Sequence, residues 1–122
     1  MTTAKRLWVI EDDETISQCL CLILSENGYG VAPAKSLAEA RCLEQKPDLV
    51  LLDFLLPDGN GIAFLPELAV RHPGVPVILL TAQERVGMSR FPHHVAYLAK
   101  PFRNKELFAL IQSQLSKSMA IS

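Results

Sequence analysis

The stretch DLVLLDFLL, Asp48 to Leu56, decides how the rest of the chain is read. Its apolar core is continuous. A strand with one wet face alternates apolar and polar residues, whereas an unbroken apolar run fits a strand buried on both faces, as in a parallel sheet. Asp53 closes the core of that run, and a lone buried carboxylate is costly without partners. The PDGNG that follows, Pro57 to Gly61, is turn chemistry, and Asp58 reads as one of its turn residues.

Working outward, the same alternation of elements appears on both sides. Towards the N-terminus, RLWVI (Arg6 to Ile10) is strand-like. TISQCLCLILSENG then places Ile16, Leu20, Ile23 and Leu24 on one helical face and stops at Asn27-Gly28. YGVAPA is a weaker strand. SLAEARCLEQK, Ser36 to Lys46, predicts a helix with Ser36 as N-cap, Glu39 completing a capping box, and Pro47 as the stop. Towards the C-terminus, IAFLPELAVRH has helical spacing, and its Pro66 either kinks the helix or sits in its first turn. VPVILLTA is another buried strand, and VAYLA is a fifth. NKELFALIQSQLSKS is a last amphipathic helix with Leu107, Leu110, Ile111 and Leu115 turned inward. Strand followed by helix, five times over, predicts an α/β fold: a parallel sheet with helices on both faces. Crossovers are right-handed in such folds. Ligands bind beyond the carboxyl ends of the strands, near the topological switch point.

Bulk properties agree and exclude some functions. A chain of 122 residues suits one domain, with 117–122 reading as a frayed tail or the start of a linker. Twelve basic against 13 acidic residues give a net charge of −1, which argues against a nucleic-acid-binding module with its basic face. Cys19, Cys21 and Cys42 show no zinc or Cys-x-x-Cys spacing and read as reduced, buried thiols. No signal peptide is evident, and no apolar run approaches the ~20 residues of a membrane helix. The expectation is a soluble, cytoplasmic protein.

The residues at the strand ends carry the chemistry. The first strand stops at Glu11-Asp12, the third at Asp53, the fourth at Thr81 and the fifth at Lys100. In a parallel sheet these meet at one edge. Clustered carboxylates repel and raise one another's pKa unless a cation intervenes. Hard oxygen ligands in an open site suit Mg²⁺, which keeps several waters and works beside phosphate. A lysine supplies a point charge for a phosphoryl oxygen, and a carboxylate can be the nucleophile. Asp13 and Glu14 are read instead as helix-start acids, serving as cap and dipole partner.

With these residues in place, the chain resembles a response-regulator receiver domain of two-component signalling. LWVIEDDE, DLVLLDFLLPDGNG, VPVILLTA and YLAKPF carry the resemblance, in matching order and spacing over essentially the whole chain. It implies a (βα)5 flavodoxin-like, doubly wound fold with strand order 2-1-3-4-5. Asp53 would accept a phosphoryl group from a histidine kinase or histidine phosphotransfer protein. Glu11, Asp12, Asp53 and the backbone carbonyl of Leu55 would hold Mg²⁺, with the register of the acids open by one residue towards Asp13. Thr81 would contact the phosphoryl group and Lys100 would pair with it. Tyr97 matches the aromatic switch position, and a cis bond is expected before Pro101. Leu55 and Gln83 would control water access and so the phosphoryl lifetime. The implied output is a change in the face made by the fourth helix, fifth strand and fifth helix, read by an unknown output domain or protein, with a homodimer also possible and no direct contact to nucleic acid or membrane. The resemblance implies a phosphoacceptor switch, with slow autodephosphorylation possible, rather than an enzyme.

Two departures stand out. The stretch from Thr81 to Lys100 is shorter than the family pattern by about one helical turn, and Gly87 and Pro92 fall where the fourth helix belongs, which predicts a short or distorted helix. His93 and His94 read as a surface loop pair. Two other functions compete: a pseudo-receiver used only for binding, and a phosphohydrolase with an aspartate nucleophile. The intact Asp53, Thr81 and Lys100 count against the first. Phe54 and Leu55, where such hydrolases carry a second aspartate, count against the other.

Overall fold

The computed structural model describes residues 4–82 and 95–121, with the backbone alone for 118–121. In chain order the elements are β1 (Arg6–Ile10), α1 (Glu14–Glu26), β2 (Gly30–Ala34), α2 (Leu37–Arg41), β3 (Leu49–Asp53), β4 (Leu55–Leu56), β5 (Gly59–Asn60), α3 (Gly61–Arg71), β6 (Val77–Thr81), β7 (Ala96–Ala99) and α4 (Asn104–Ile121). Five strands form one sheet in the order β2-β1-β3-β6-β7, every neighbouring pair parallel. Counting only these strands, the order is 2-1-3-4-5, as the resemblance implies. The sheet places the carboxyl ends of β1, β3, β6 and β7 on one edge.

Side-chain alternation along each strand divides the core in two. Trp8, Ile10, Val50, Leu52, Val77 and Leu79 face α2 and α3, where Leu37, Ala40, Phe64 and Leu68 meet them. Leu7, Val9, Leu49, Leu51, Ile78 and Leu80 face α1 and α4, against Leu20, Leu24, Leu107 and Ile111. Both faces of the central strands are therefore dry, and β3 and β6 are buried along their whole length. This is why their sequences show no alternation.

The structure corrects several local expectations. The third strand ends at Asp53 as expected, but Leu55–Leu56 do not extend its apolar run: they pair antiparallel with Gly59–Asn60 in a small hairpin turned by Pro57-Asp58. The second helix stops at Arg41 rather than reaching Lys46. Beyond it, the Gln45 carbonyl accepts a hydrogen bond from the buried indole of Trp8 (3.1 Å), which ties the segment to the sheet. Pro66 lies within α3, past its first turn, with its ring exposed. Cys19 and Cys42 are exposed and Cys21 is half-buried: α1 turns Leu20 and Leu24 inward instead of its cysteines, and Cys42 sits at the C-cap of α2. α4 runs on to Ile121, through residues the composition reads as a tail. Among the described residues no helix is long and apolar enough to cross a membrane. Gln83, Gly87, Pro92, His93 and His94, and with them the expected fourth helix, lie outside the described residues.

Candidate functional site

Strand register assembles the site from residues far apart in sequence. Ile10 lies opposite Leu52, so Glu11 comes level with Asp53. Asp53 lies opposite Leu80, which puts Thr81 one step beyond, and Thr81 lies opposite Ala99, which puts Lys100 next. Backbone hydrogen bonds extend the ladder at the edge: Glu11 N–H to the Ala34 carbonyl (2.9 Å) and Lys100 N–H to the Thr81 carbonyl (2.7 Å). The Lys100–Pro101 peptide bond is cis.

Carboxylate oxygens of Glu11, Asp12 and Asp53 lie within 4.8 Å of one another. Glu11 is fully buried and Asp53 is 7% exposed, while Asp12 is open to solvent. Lys100 Nζ donates to Glu11 Oε1 (2.5 Å) and to Asp53 Oδ2 (3.2 Å). Burial, then the Asp53 carboxyl beside it, pushes the Glu11 carboxyl above its ordinary pKa, against the lowering effect of Lys100 and the Asp13 N–H. Burial alone would lower the Lys100 pKa, but the carboxylates of Glu11 and Asp53 outweigh it and raise it. One ammonium thus sits among three acids. A buried pair of carboxylates with a third at an open rim is a donor set that fits a hard divalent cation retaining some of its water.

The remaining residues singled out in the sequence fall into place around this set. Thr81 is buried (4% exposed) at the end of β6. Tyr97, in β7, is half-buried against the core on the α2 and α3 side, and burial raises its phenol pKa. Asp13 caps α1, its Oδ1 accepting from Ile16 N–H (3.1 Å). Glu14 stands in the first turn of α1 and pairs with Lys35 (2.6 Å). Leu55 is 61% exposed beside the site. Gly61 starts α3 directly against β3, where a Cβ would stand 2.5 Å from the Asp53 carbonyl oxygen.

Asp58 has a partner that the sequence does not disclose. Its two carboxylate oxygens accept from Leu37 and Ala38 N–H (both 2.9 Å), at the start of α2. Those N–H groups hold its carboxyl below the ordinary range. The turn residue is therefore also a cap for a helix some twenty positions earlier. Ser36 supplies the expected cap to Glu39 N–H (3.1 Å), and the Glu39 carboxylate reaches back to Lys35 N–H (2.9 Å). No local pattern could have assigned Asp58 to α2.

Comparison with known proteins agrees with the fold. The profile of the response regulator receiver domain family matches residues 7–112. The phosphate regulon transcriptional regulatory protein PhoB of Escherichia coli K12 is 35% identical over 123 residues, covering 93% of this chain and 53% of that protein. The DNA-binding response regulator MtrA of Mycolicibacterium smegmatis is 33% identical, covering 96% of this chain and 53% of its own length. The chain thus spans about half the length of these curated relatives. Among solved structures, a CheY-like response regulator receiver domain protein of Methanospirillum hungatei superposes with a TM-score of 0.90 at 27% identity, over 98% of this chain and 100% of the other. The response regulator TrrA of Thermotoga maritima, solved in complex with Mg²⁺-BeF, superposes at 0.79 with 29% identity, over 90% of this chain and 98% of that one.

Proposed function

Because the chain belongs to the response regulator receiver domain family, the phosphoacceptor switches of two-component signalling, we propose that Asp53 is its phosphoacceptor and that Lys100, Thr81 and a Mg²⁺ site complete the machinery. One observation carries the reading: the buried Asp53 carboxylate lies 3.2 Å from the Lys100 ammonium and within 4.8 Å of oxygens of Glu11 and Asp12. An aspartate so placed has an ammonium and two further acids around it, at the edge of the sheet where the exposed Asp12 opens to solvent.

In the proposed reaction a carboxylate oxygen of Asp53 attacks the phosphorus of a phosphohistidine on a histidine kinase or histidine phosphotransfer protein. The O–P bond to Asp53 forms as the P–N bond breaks, and the electron pair leaves with the imidazole. Glu11, Asp12, Asp53 and the Leu55 carbonyl would hold Mg²⁺. The bound cation supplies charge that offsets the repulsion between an anionic nucleophile and an anionic phosphoryl group. Lys100 exchanges part of its contact with the acids for a phosphoryl oxygen. The Thr81 hydroxyl donates to another oxygen and draws the end of β6 towards the site. Tyr97 then takes an inward rotamer, and the surface formed by β7 and α4 shifts population. An output domain or separate protein that prefers that surface reads the signal. The receiver itself neither binds nucleic acid nor turns over substrate beyond slow loss of its own phosphoryl group.

The test is incubation with Mg²⁺ and acetyl phosphate, followed by intact mass measurement. One acid-stable, base-labile phosphoryl group, lost in Asp53→Asn, supports the reading. No modification of the wild-type protein points to a pseudo-receiver, and rapid multiple turnover of the donor points to a hydrolase. Uptake by Asp53→Asn at the same site and rate overturns the assignment.

A further inference from the structure

We infer that Asp58 is a positioning residue for the cation site, holding the β4–β5 hairpin in register with the site by clamping its tip to the first turn of α2. This rests on the reading above in one respect, that the Leu55 carbonyl is a Mg²⁺ ligand.

The hairpin carrying Leu55 is small, two residues pairing with two. Leu55 itself is mostly exposed, so side-chain packing does little to hold its backbone. Two anchors do. At the base, Gly61 N–H donates to the Phe54 carbonyl (2.8 Å), and Gly61 itself is pressed against Asp53. At the tip, the Asp58 carboxylate bridges Leu37 and Ala38 N–H. Gly59 sits at φ +155°, and a Cβ there would stand 2.9 Å from Leu37 Cδ1, so hairpin and helix approach closely as well.

What the tip is clamped to is itself tied to the site. Two residues separate the end of β2 from the start of α2, and the last residue of β2, Ala34, accepts the Glu11 N–H. α2 is held from behind by Arg41, which pairs with Glu67 of α3 (2.8 Å) and lies 5.6 Å over the Phe64 ring. The contacts therefore form a closed circuit: Glu11 to Ala34, through Ser36 to the start of α2, across Asp58 to the hairpin, and back through Leu55 to Asp53. Without Asp58 the circuit opens at one place. The acids stay where their strands put them, and the Leu55 backbone is held by its base and by the buried Leu56 but no longer at the tip.

Partners that orient a metal ligand typically contribute a factor of about 10–100 to affinity. The experiment is titration calorimetry of Mg²⁺ on the unphosphorylated wild type, Asp58→Ala, Asp58→Asn and Ser36→Ala, with thermal unfolding of each and acetyl phosphate labelling across a Mg²⁺ series. Asp58→Ala should raise the Mg²⁺ Kd about tenfold, and Asp58→Asn, which keeps one acceptor oxygen, should fall between. Labelling should need more Mg²⁺ for half-saturation yet reach the wild-type rate when saturated. Ser36→Ala removes another cap of the same helix without touching the hairpin, and should lower the unfolding temperature with Kd changed less than about twofold. The inference is overturned if both Asp58 variants bind Mg²⁺ like the wild type, or if Ser36→Ala weakens it as much as Asp58→Ala does. Failure of the wild type to bind Mg²⁺ overturns the functional reading and this inference together; wild-type binding with unaffected Asp58 variants overturns this inference alone.

Discussion

Replacing Gly61 by alanine tests whether the start of α3 and the strand bearing Asp53 are as tightly apposed as the structure places them. The new Cβ would stand 2.5 Å from the Asp53 carbonyl oxygen and 3.2 Å from Leu52 Cγ, where ordinary contact begins near 3.4 Å. One side must therefore yield by about 0.9 Å, and neither is a flexible side-chain end. The Asp53 carbonyl is backbone of a strand paired with β1 on one side and β6 on the other, and Gly61 N–H is bonded to Phe54. Overpacking of this kind costs about 1–3 kcal/mol. The gain in helix propensity offsets less than about 1 kcal/mol at this terminal position, leaving about 2 kcal/mol of destabilisation. At about 2.1 cal/mol/K per residue, the 122-residue chain has an unfolding entropy of about 0.26 kcal/mol/K, so Tm should fall by about 8 °C. Gly30→Ala is the matched control: its nearest atom is 3.9 Å away, and Tm should move by less than about 2 °C. Because the displaced carbonyl belongs to Asp53, labelling by acetyl phosphate should also slow by at least about tenfold in Gly61→Ala. Calorimetric scans and labelling time courses provide both readouts. A Gly61→Ala protein with wild-type Tm and labelling rate would refute the reasoning.

Three further outcomes follow from particular contacts. Ile111→Ala removes a fully buried side chain from the α1 and α4 side of the core and should cost about 3 kcal/mol in urea unfolding; a loss under about 1 kcal/mol would mean that α4 does not pack as described. His72 lies edge-on to Trp8 (ring centroids 5.1 Å apart), and burial, then Arg71 and Lys46, hold its pKa below the usual 6.5. The unfolded chain therefore takes up the proton first, so this contribution is present in full above about pH 6.5 and is lost as pH falls through the folded-state value. The slope of Tm between about pH 7 and 5.5 should flatten in His72→Phe, and an unchanged slope would remove His72 as its source. Lys35→Ala breaks an ion pair whose side chains are 56% and 55% exposed, and should leave Tm within error of the wild type even at low salt.

The sequence by itself determined the order of the five parallel strands along the chain and which residues stand at their carboxyl ends. Burial on both faces turns β3 and β6 into unbroken apolar runs, and a residue such as Asp53 or Thr81 at the end of such a run is conspicuous because burial penalises it there. Caps are equally local: Asp13 and Ser36 act on N–H groups three residues ahead, within reach of pattern reading. Tertiary structure decided what depends on meetings between distant residues. Lys100 reaches Glu11 across 89 positions and Asp53 across 47, at distances set by strand register. The hairpin after Asp53, the early end of α2 and the exposure of Cys19 and Cys42 depend on what each segment packs against. Asp58 is the sharpest case. As a letter in PDGNG it is a turn residue like any other, and only the fold carries α2 to where its first N–H groups meet that carboxylate.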